Sequence, residues 1–348
     1  MMLIVMKHFT KHRPLLAASL SLALIAGVSG CATTTTAATT DTAPVATSSA
    51  TSSDTTETAT AASTESPDLA TLIAEVQDTF DQATYTDSET GETLPYNIYL
   101  PEDYDPSKTY PLVLYIADSS LVGQDVTAPL SQYGALIWAS DSMQSVEESI
   151  VIVPEYPEVI LDDHGSFTTT EYVEMTARLL ADVEANYSVD TDRVYGTGQS
   201  MGAMTVMYLA ATYPDLFAAE LIVSGQWDIS VLSALADEQF LYFAAGGDEN
   251  ASGGQTDVEA LLDSAGVAYG TTTLDATAAW SDQESAIAEL VSNGNSANFA
   301  TFETGTVLEV AGSDSSSGMG GSSEHMASFE PAYKIAAART WLLQQTAS

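Results

Sequence analysis

Basic residues are scarce. Against 48 Asp and Glu, the 348-residue chain sets only eight Lys and Arg, for a formal charge of −40. Such a surface repels polyanions, which excludes nucleic acid as a partner and disfavours anionic lipid headgroups. Cysteine occurs once, at Cys31, so no disulfide can close within the chain. Histidine occurs four times, at positions 8, 12, 164 and 325. Two mature histidines and one cysteine cannot build a usual zinc site, and no metal is expected. No G-x-G-x-x-G run and no P-loop appears, and no cofactor is expected. Internal repeats are also missing, which argues against a solenoid or propeller. The longest apolar run, Leu15 to Val28, is too short for a comfortable transmembrane helix.

That run suits the apolar region of a signal peptide, preceded as it is by Lys7, Lys11 and Arg13. Val28-Ser29-Gly30-Cys31 resembles the bacterial lipobox, in which the cysteine is lipidated and becomes the first mature residue. The resemblance implies a lipoprotein signal peptide over residues 1–30, lipidation at Cys31, and an extracytoplasmic protein anchored by lipid to the bacterial cell envelope. Two acyl chains at one residue meet the requirement for stable anchoring. Loss of the signal leaves five basic residues against all 48 acids. Residues 31–66 follow as an Ala, Thr and Ser tract with almost no large apolar side chain. Such a segment cannot bury enough surface to offset its ordering entropy, and reads as a disordered linker.

Residues 67–348 form the expected catalytic domain. Phe80 to Tyr85 and Leu94 to Leu100 read as strands joined by a turn at Ser88 to Gly91, an antiparallel edge. Leu112 to Ile116 and Ile150 to Val153 are continuous apolar runs, expected of strands covered on both faces. Helical spacing spans Thr170 to Asn186. Further strands are predicted at Ala219 to Val223, Phe240 to Ala245, Ala268 to Leu274 and Phe299 to Phe302. Helices are predicted at Tyr133 to Ala139, Val231 to Ala236, Val258 to Ala265, Ser285 to Val291 and Phe329 to Gln345, and a glycine- and serine-rich loop over Asp314 to Ser323. The alternation predicts an α/β fold, a mostly parallel central sheet with helices on both faces.

The central stretch is Gly198-Gln199-Ser200-Met201-Gly202. It follows a short apolar strand and opens a helical pattern at Met204, Met207, Tyr208 and Ala211, which Tyr213-Pro214 closes. G-x-S-x-G in that context is a nucleophile elbow, a strained strand-to-helix turn that projects the serine hydroxyl beyond the sheet. With Tyr208 to Ala219, Ser224-Gly225-Gln226-Trp227-Asp228 and His325-Met326-Ala327-Ser328-Phe329, the chain resembles the α/β-hydrolase superfamily over residues 80 to 345. The nearest groups are bacterial secreted esterases and the prolyl-oligopeptidase-like or polyhydroxybutyrate-depolymerase-like serine hydrolases. The resemblance implies a serine nucleophile, an acid after a late strand and a histidine near the C-terminus.

Serine needs a base to take its proton and a third group to orient that base. Ser200 is the expected nucleophile, and the chain order of the family selects His325 over His164, which reads as a surface or pocket-rim residue. Asp248, on the loop after Phe240 to Ala245, is the expected acid; Glu249, Asp228 and Asp275 also follow strands. One oxyanion donor is expected from the backbone N–H of Met201 and another from Ser119, on the loop after Leu112 to Ile116. Asp118, beside it, disfavours a developing anion unless its side chain turns away. Glu155-Tyr156 and Gln226-Trp227 follow strand ends and are candidates for pocket walls or core. The leading expectation is a surface-tethered serine hydrolase that acts on small or polymeric carboxylic esters through an acyl-enzyme. A prolyl-oligopeptidase-like peptidase and a non-catalytic binding lipoprotein on the same scaffold are the alternatives.

Overall fold

The computed structural model describes residues 65–312 and 323–347. The expected signal peptide, Cys31, nearly all of the expected linker, and the expected glycine-rich loop up to Ser323 lie outside the described residues. The frame is a nine-stranded sheet: β1 (Asp81–Thr86), β2 (Thr93–Tyr99), β3 (Tyr110–Ile116), β4 (Ile150–Pro154), β5 (Val189–Gln199), β6 (Ala219–Val223), β7 (Phe240–Ala245), β8 (Tyr269–Leu274) and β9 (Ala297–Phe302). Their order is β1-β2-β4-β3-β5-β6-β7-β9-β8. The two pairings at the first edge, β1 with β2 and β2 with β4, are antiparallel, and all the others are parallel. Helices on both faces join the parallel strands, as such connections require. The protein has the mostly parallel sheet expected from the alternation, with the antiparallel edge, and so the α/β-hydrolase architecture that the resemblance implies.

Each face carries its own core. Val113, Tyr115, Leu221 and Phe243 point to one side, where they pack beneath Leu69–Val76, Trp280–Ser292 and the C-terminal helices. Leu112, Leu114, Ile116 and Ile222 point to the other, beneath the helices Glu171–Asn186, Met201–Thr212 and Glu249–Ala265. Period-two alternation within continuous apolar runs thus feeds two layers. In the central strands every residue of β3, β4, β6 and β7 is buried.

Several expected elements differ. The helix placed at Val231 to Ala236 is two 3₁₀ turns, Ile229–Val231 and Ser233–Asp237, and the one placed at Ser285 to Val291 begins at Trp280. The helix placed at Val258 to Ala265 begins at Glu249, capped by Asp248, whose carboxylate accepts from the Ala251 N–H at 3.3 Å. Gly253 and Gly254 disguise its first half; Gly254 is needed because a Cβ there would crowd Gln226 and the Tyr242 hydroxyl. The single C-terminal helix is two, Phe329–Lys334 and Ala336–Leu343, broken at Ile335 with ψ of 105°. Glu284, on a different helix, caps the second piece by accepting from the N–H groups of Ala336 at 2.6 Å and Ala337 at 2.7 Å. Buried Arg339 donates to the Tyr333 carbonyl across the same break. His325, between the predicted glycine-rich loop and the predicted final helix, lies in a one-turn helix, Glu324–Ala327, capped by Ser323.

Candidate active site

Ser200 stands at the carboxyl end of β5, in the middle of the sheet, with φ of 52° and ψ of −118°. A non-glycine residue in that region is strained, and such strain persists only where its surroundings over-determine it. Here the Ser200 N–H is fixed to the Val223 carbonyl at 3.0 Å, and its own carbonyl accepts from the Met204 N–H at 2.9 Å. Gly202 lies directly against β3: a Cβ there would overlap the Ile116 carbonyl. One at Gly198 would overlap the backbone of Gly202. The two glycines of the motif are therefore steric requirements of a helix that leaves the sheet at so sharp an angle. Ser200 is 9% exposed, at the floor of the carboxyl rim.

Two further groups converge on it. His325 Nε2 lies 2.8 Å from Ser200 Oγ, and His325 Nδ1 lies 2.6 Å from Asp248 Oδ2. Asp248 sits beyond β7, and the imidazole packs edge-on against Phe329, ring centroids 5.1 Å apart. Behind the ring, Ser328 Oγ donates to the His325 carbonyl at 2.8 Å, so the shared proton of its 2.7 Å contact with Ser224 Oγ comes from Ser224. Ser328 thus anchors the histidine helix and makes no side-chain cap bond to the helix that follows. The competing acids are engaged elsewhere. Asp228 accepts from the Ser230 N–H at 3.0 Å, Asp275 from the Thr277 N–H at 2.8 Å, and Glu249 is exposed in the first turn of its helix. His164 has a side chain 91% exposed and bonds Asp162 and Asp163, on the loop between Leu161–Asp162 and Thr168–Thr169, without contact to Ser200.

Met201 N–H opens the helix Met201–Thr212, and Ser119 opens a short 3₁₀ turn, Ser119–Leu121, after β3. The first N–H groups of a helical turn have no acceptor within it, and the helix start carries partial positive charge. Asp118 is turned away from this position. Its carboxylate is buried and accepts from the Ser120 N–H at 2.8 Å and from the side-chain amides of Gln132 and Gln199. Gln199 precedes the nucleophile, so this carboxylate ties the loop after β3 to the elbow. Glu155 adds a second tie, accepting from the Gln124 N–H at 3.0 Å. Burial pushes the Glu155 carboxyl up to about 7, against the pull of backbone donors at Gln124 and Gly123. Tyr156 and Trp227 are core residues: Tyr156 bonds Thr176 at 2.7 Å, and Trp227 packs edge-on against Phe167 and Tyr208. Gln226 bonds Asp163 on the neighbouring loop. A cavity of about 660 Å³ opens at the amino-terminal ends of the strands, between Gln239, Glu284, Asn295 and Trp341, and none of the converging residues borders it.

The Esterase family model matches residues 88–306, more than half of the chain. Ser119, Ser200, Met201 and Asp248 fall within the matched range and His325 beyond it. The chain is 44% identical over 62 residues to poly(3-hydroxyalkanoate) depolymerase C of Paucimonas lemoignei, 18% of this chain and 15% of that protein. It is 51% identical over 41 residues to a probable acetylxylan esterase A of Neosartorya fischeri, 12% of this chain and 11% of that protein. The matched stretches are therefore under a sixth of either relative's length. Among solved structures, the feruloyl esterase module of Clostridium thermocellum, complexed with sinapinate, superposes with a TM-score of 0.55 at 14% identity, covering 82% of this chain and 95% of that one.

Proposed function

The chain belongs to the Esterase family, and from that premise we propose that it hydrolyses carboxylic esters through an acyl-enzyme built on Ser200. The observation that carries the reading is the contact of His325 with Ser200 on one ring nitrogen and with Asp248 on the other. Ser200 Oγ attacks the ester carbonyl carbon while Nε2 of His325 takes its proton. The carbonyl π pair moves onto oxygen, which the N–H groups of Met201 and Ser119 receive. As the tetrahedral species collapses, Nε2 returns the proton to the departing alkoxide. Water, deprotonated by the same nitrogen, then attacks the acyl-serine; the second tetrahedral species breaks its bond to Ser200 Oγ, which takes the proton back from Nε2 as the acid leaves. Asp248 holds Nδ1–H and favours the imidazolium that forms in each half.

This reading extends to the whole chain. Residues 67–348 act as the catalytic domain, carried by the Thr-rich spacer from a lipid anchor at Cys31, outside the cytoplasm. The support for the anchor is the basic, apolar and small-residue order of residues 7–31 alone. A fluorophosphonate probe tests the core of the proposal. Labelling of the parent that disappears in Ser200→Ala, with turnover of acyl esters and not of peptide amides, is the expected result. Absence of labelling in the folded parent favours a binding protein, and preferential amide cleavage a peptidase.

A further inference from the structure

Glu324 immediately precedes His325, and Gly247 immediately precedes Asp248. The two neighbours are joined as directly as the pair they precede. Glu324 Oε2 accepts from the Gly247 N–H at 3.0 Å, and its other oxygen, Oε1, accepts from the Gly305 N–H at 2.9 Å. Gly305 has φ of +88° and caps the helix Thr306–Ala311, beyond β9. One carboxylate therefore gathers three separate segments: the turn after β7 that carries the acid, the turn after β9, and the one-turn helix that carries the imidazole. The approach is so close that a Cβ at Gly247 would overlap the Glu324 carboxylate. Gly247 has no need of glycine on conformational grounds, because its φ is outside the left-handed region. Space for the carboxylate is the reason for glycine there.

We propose that Glu324 is a positioning residue that clamps the histidine helix to the acid loop and so sets the His325–Asp248 distance. The proposal rests on the reading of His325 and Asp248 as base and orienting acid. It follows from the mechanics of the site. The helix Glu324–Ala327 is one turn long, too short to hold its own geometry, so its register comes from its ends. Ser323 caps it locally, the Ser224–Ser328 hydroxyl pair holds its far end, and Glu324 supplies the tie to the acid loop. Hydrogen bonds from neutral N–H groups to a carboxylate are among the stronger ones in proteins, and two on one side chain fix its plane. Glu324 touches neither Ser200 nor the reacting carbonyl, and its action passes through His325 and Asp248.

Steady-state kinetics on a p-nitrophenyl acyl ester, with the full chain, test the clamp from both sides. Glu324→Ala removes the carboxylate, and Gly247→Ala displaces it without any change of charge. Each is expected to lower kcat by about 10- to 100-fold with KM within about twofold, because small misplacements in a proton-transfer constellation cost that much. Glu324→Gln should fall between, since its amide oxygen accepts from one glycine while its NH₂ faces the other donor. The double variant should be no slower than the slower single one, since nothing remains for the added methyl to displace. Thermal melts followed by circular dichroism check that each variant folds. If Glu324→Ala does not fold, Gly247→Ala and Glu324→Gln carry the test. Parent-like kcat in these variants beside an inactive Ser200→Ala, or effects that multiply in the double variant, overturn the clamp. A Ser200→Ala protein with parent turnover instead removes the serine reading beneath it.

Discussion

Asp248 uses its two oxygens for two different tasks: Oδ2 meets His325 Nδ1 at 2.6 Å, and Oδ1 accepts the Ala251 N–H at 3.3 Å and so caps the helix Glu249–Ala265. The residue proposed to orient the base is held by the start of a helix, and its rotamer is fixed by the cap. The two tasks separate on substitution. Asn caps a helix about as well as Asp does, but it cannot stabilise an imidazolium. Asp248→Asn is therefore expected to melt within a few degrees of the parent while losing about 10⁴ in kcat. Asp248→Ala should lose both, with about 1 kcal/mol of stability gone with the cap. Turnover and urea unfolding of the two variants, measured side by side, check this, and an active Asp248→Asn would remove Asp248 from the mechanism.

Local patterns made the frame legible. Continuous apolar runs located β3, β4 and β7, because a strand buried on both faces rarely has a polar position to interrupt it; β6 carries one, Glu220. The elbow was legible because its glycines answer to sterics within five residues and to the adjoining β3. What stayed hidden is long-range. The break at Ile335 depends on Glu284, about fifty positions away in sequence, whose carboxylate caps the chain after it. The first half of Glu249–Ala265 was hidden because Gly254 answers to packing against Gln226 and Tyr242, against its helical propensity. Glu324 looked like one more surface acid among 48, and only the distances to Gly247 and Gly305 distinguish it. The inward turn of Asp118 likewise required Gln132 and Gln199, neither of which marks itself as its partner.

Arg178 and Asp87 form a two-toothed pair, Nε to Oδ1 and Nη2 to Oδ2, each at 2.8 Å, with Asp87 fully buried. Arg178 first, then Thr90 and Tyr85, hold the Asp87 carboxyl well below the usual carboxylate range against the opposing effect of burial. Removing the cation leaves a buried carboxylate with only neutral donors, Thr90 and Tyr85, and breaking such a pair typically costs about 3–5 kcal/mol. Arg178→Ala is expected to lose stability on that scale at pH 7. A group whose folded-state affinity for protons is depressed contributes stability above its unfolded value, lost as pH falls through the folded one. The gap between Arg178→Ala and the parent should therefore narrow on acidification below about pH 4. Urea titrations at pH 7 and pH 3.5 measure it, and a gap that is constant or widens counts against the pair.

Three buried carboxyls behave in the opposite sense. Glu220 is fully buried on β6 with neither oxygen hydrogen-bonded among the described residues, and burial first, then Glu238, pushes it well above the usual range. Burial, then Asp215 and Asp237, pushes Glu238 up to about 8, and Glu155 stands at about 7. Here the folded state keeps a proton that the unfolded chain has lost. Stability is then fully present below the unfolded values, near 4.3, and falls as pH rises toward the folded ones. The parent should melt lower at pH 8.5 than at pH 5.5. Glu220→Met keeps the volume and removes the ionisable group, so its advantage in Tm over the parent should grow across that window. Calorimetry at three pH values decides, and an advantage independent of pH would show that Glu220 does not titrate with unfolding.

The remaining electrostatic load is unpaired charge. Of the basic residues in the described range, Arg178 and Arg193 each bond two acids, Lys334 bonds Glu330 at 2.6 Å, and Arg339 is buried against Tyr333 and Ser66. Four of the five cations in the described range are thus committed to local contacts, Lys108 being the fifth, while the acids outnumber the basic residues sixfold over the sequence. The excess repels itself more strongly in the compact state, where carboxylates stand closer than in an expanded chain. Mobile ions screen exposed charges beyond a Debye length, about 10 Å at 0.1 M and 3 Å at 1 M. Melting temperature is therefore expected to climb from 10 mM to 1 M KCl, with most of the gain below 0.3 M. Choline chloride should act like KCl if screening is the cause, whereas binding of K⁺ at discrete carboxylate sites would separate the two salts. Sucrose at equal osmolality controls for exclusion from the surface, and a flat or falling response to both salts would mean that self-repulsion is not what limits this fold.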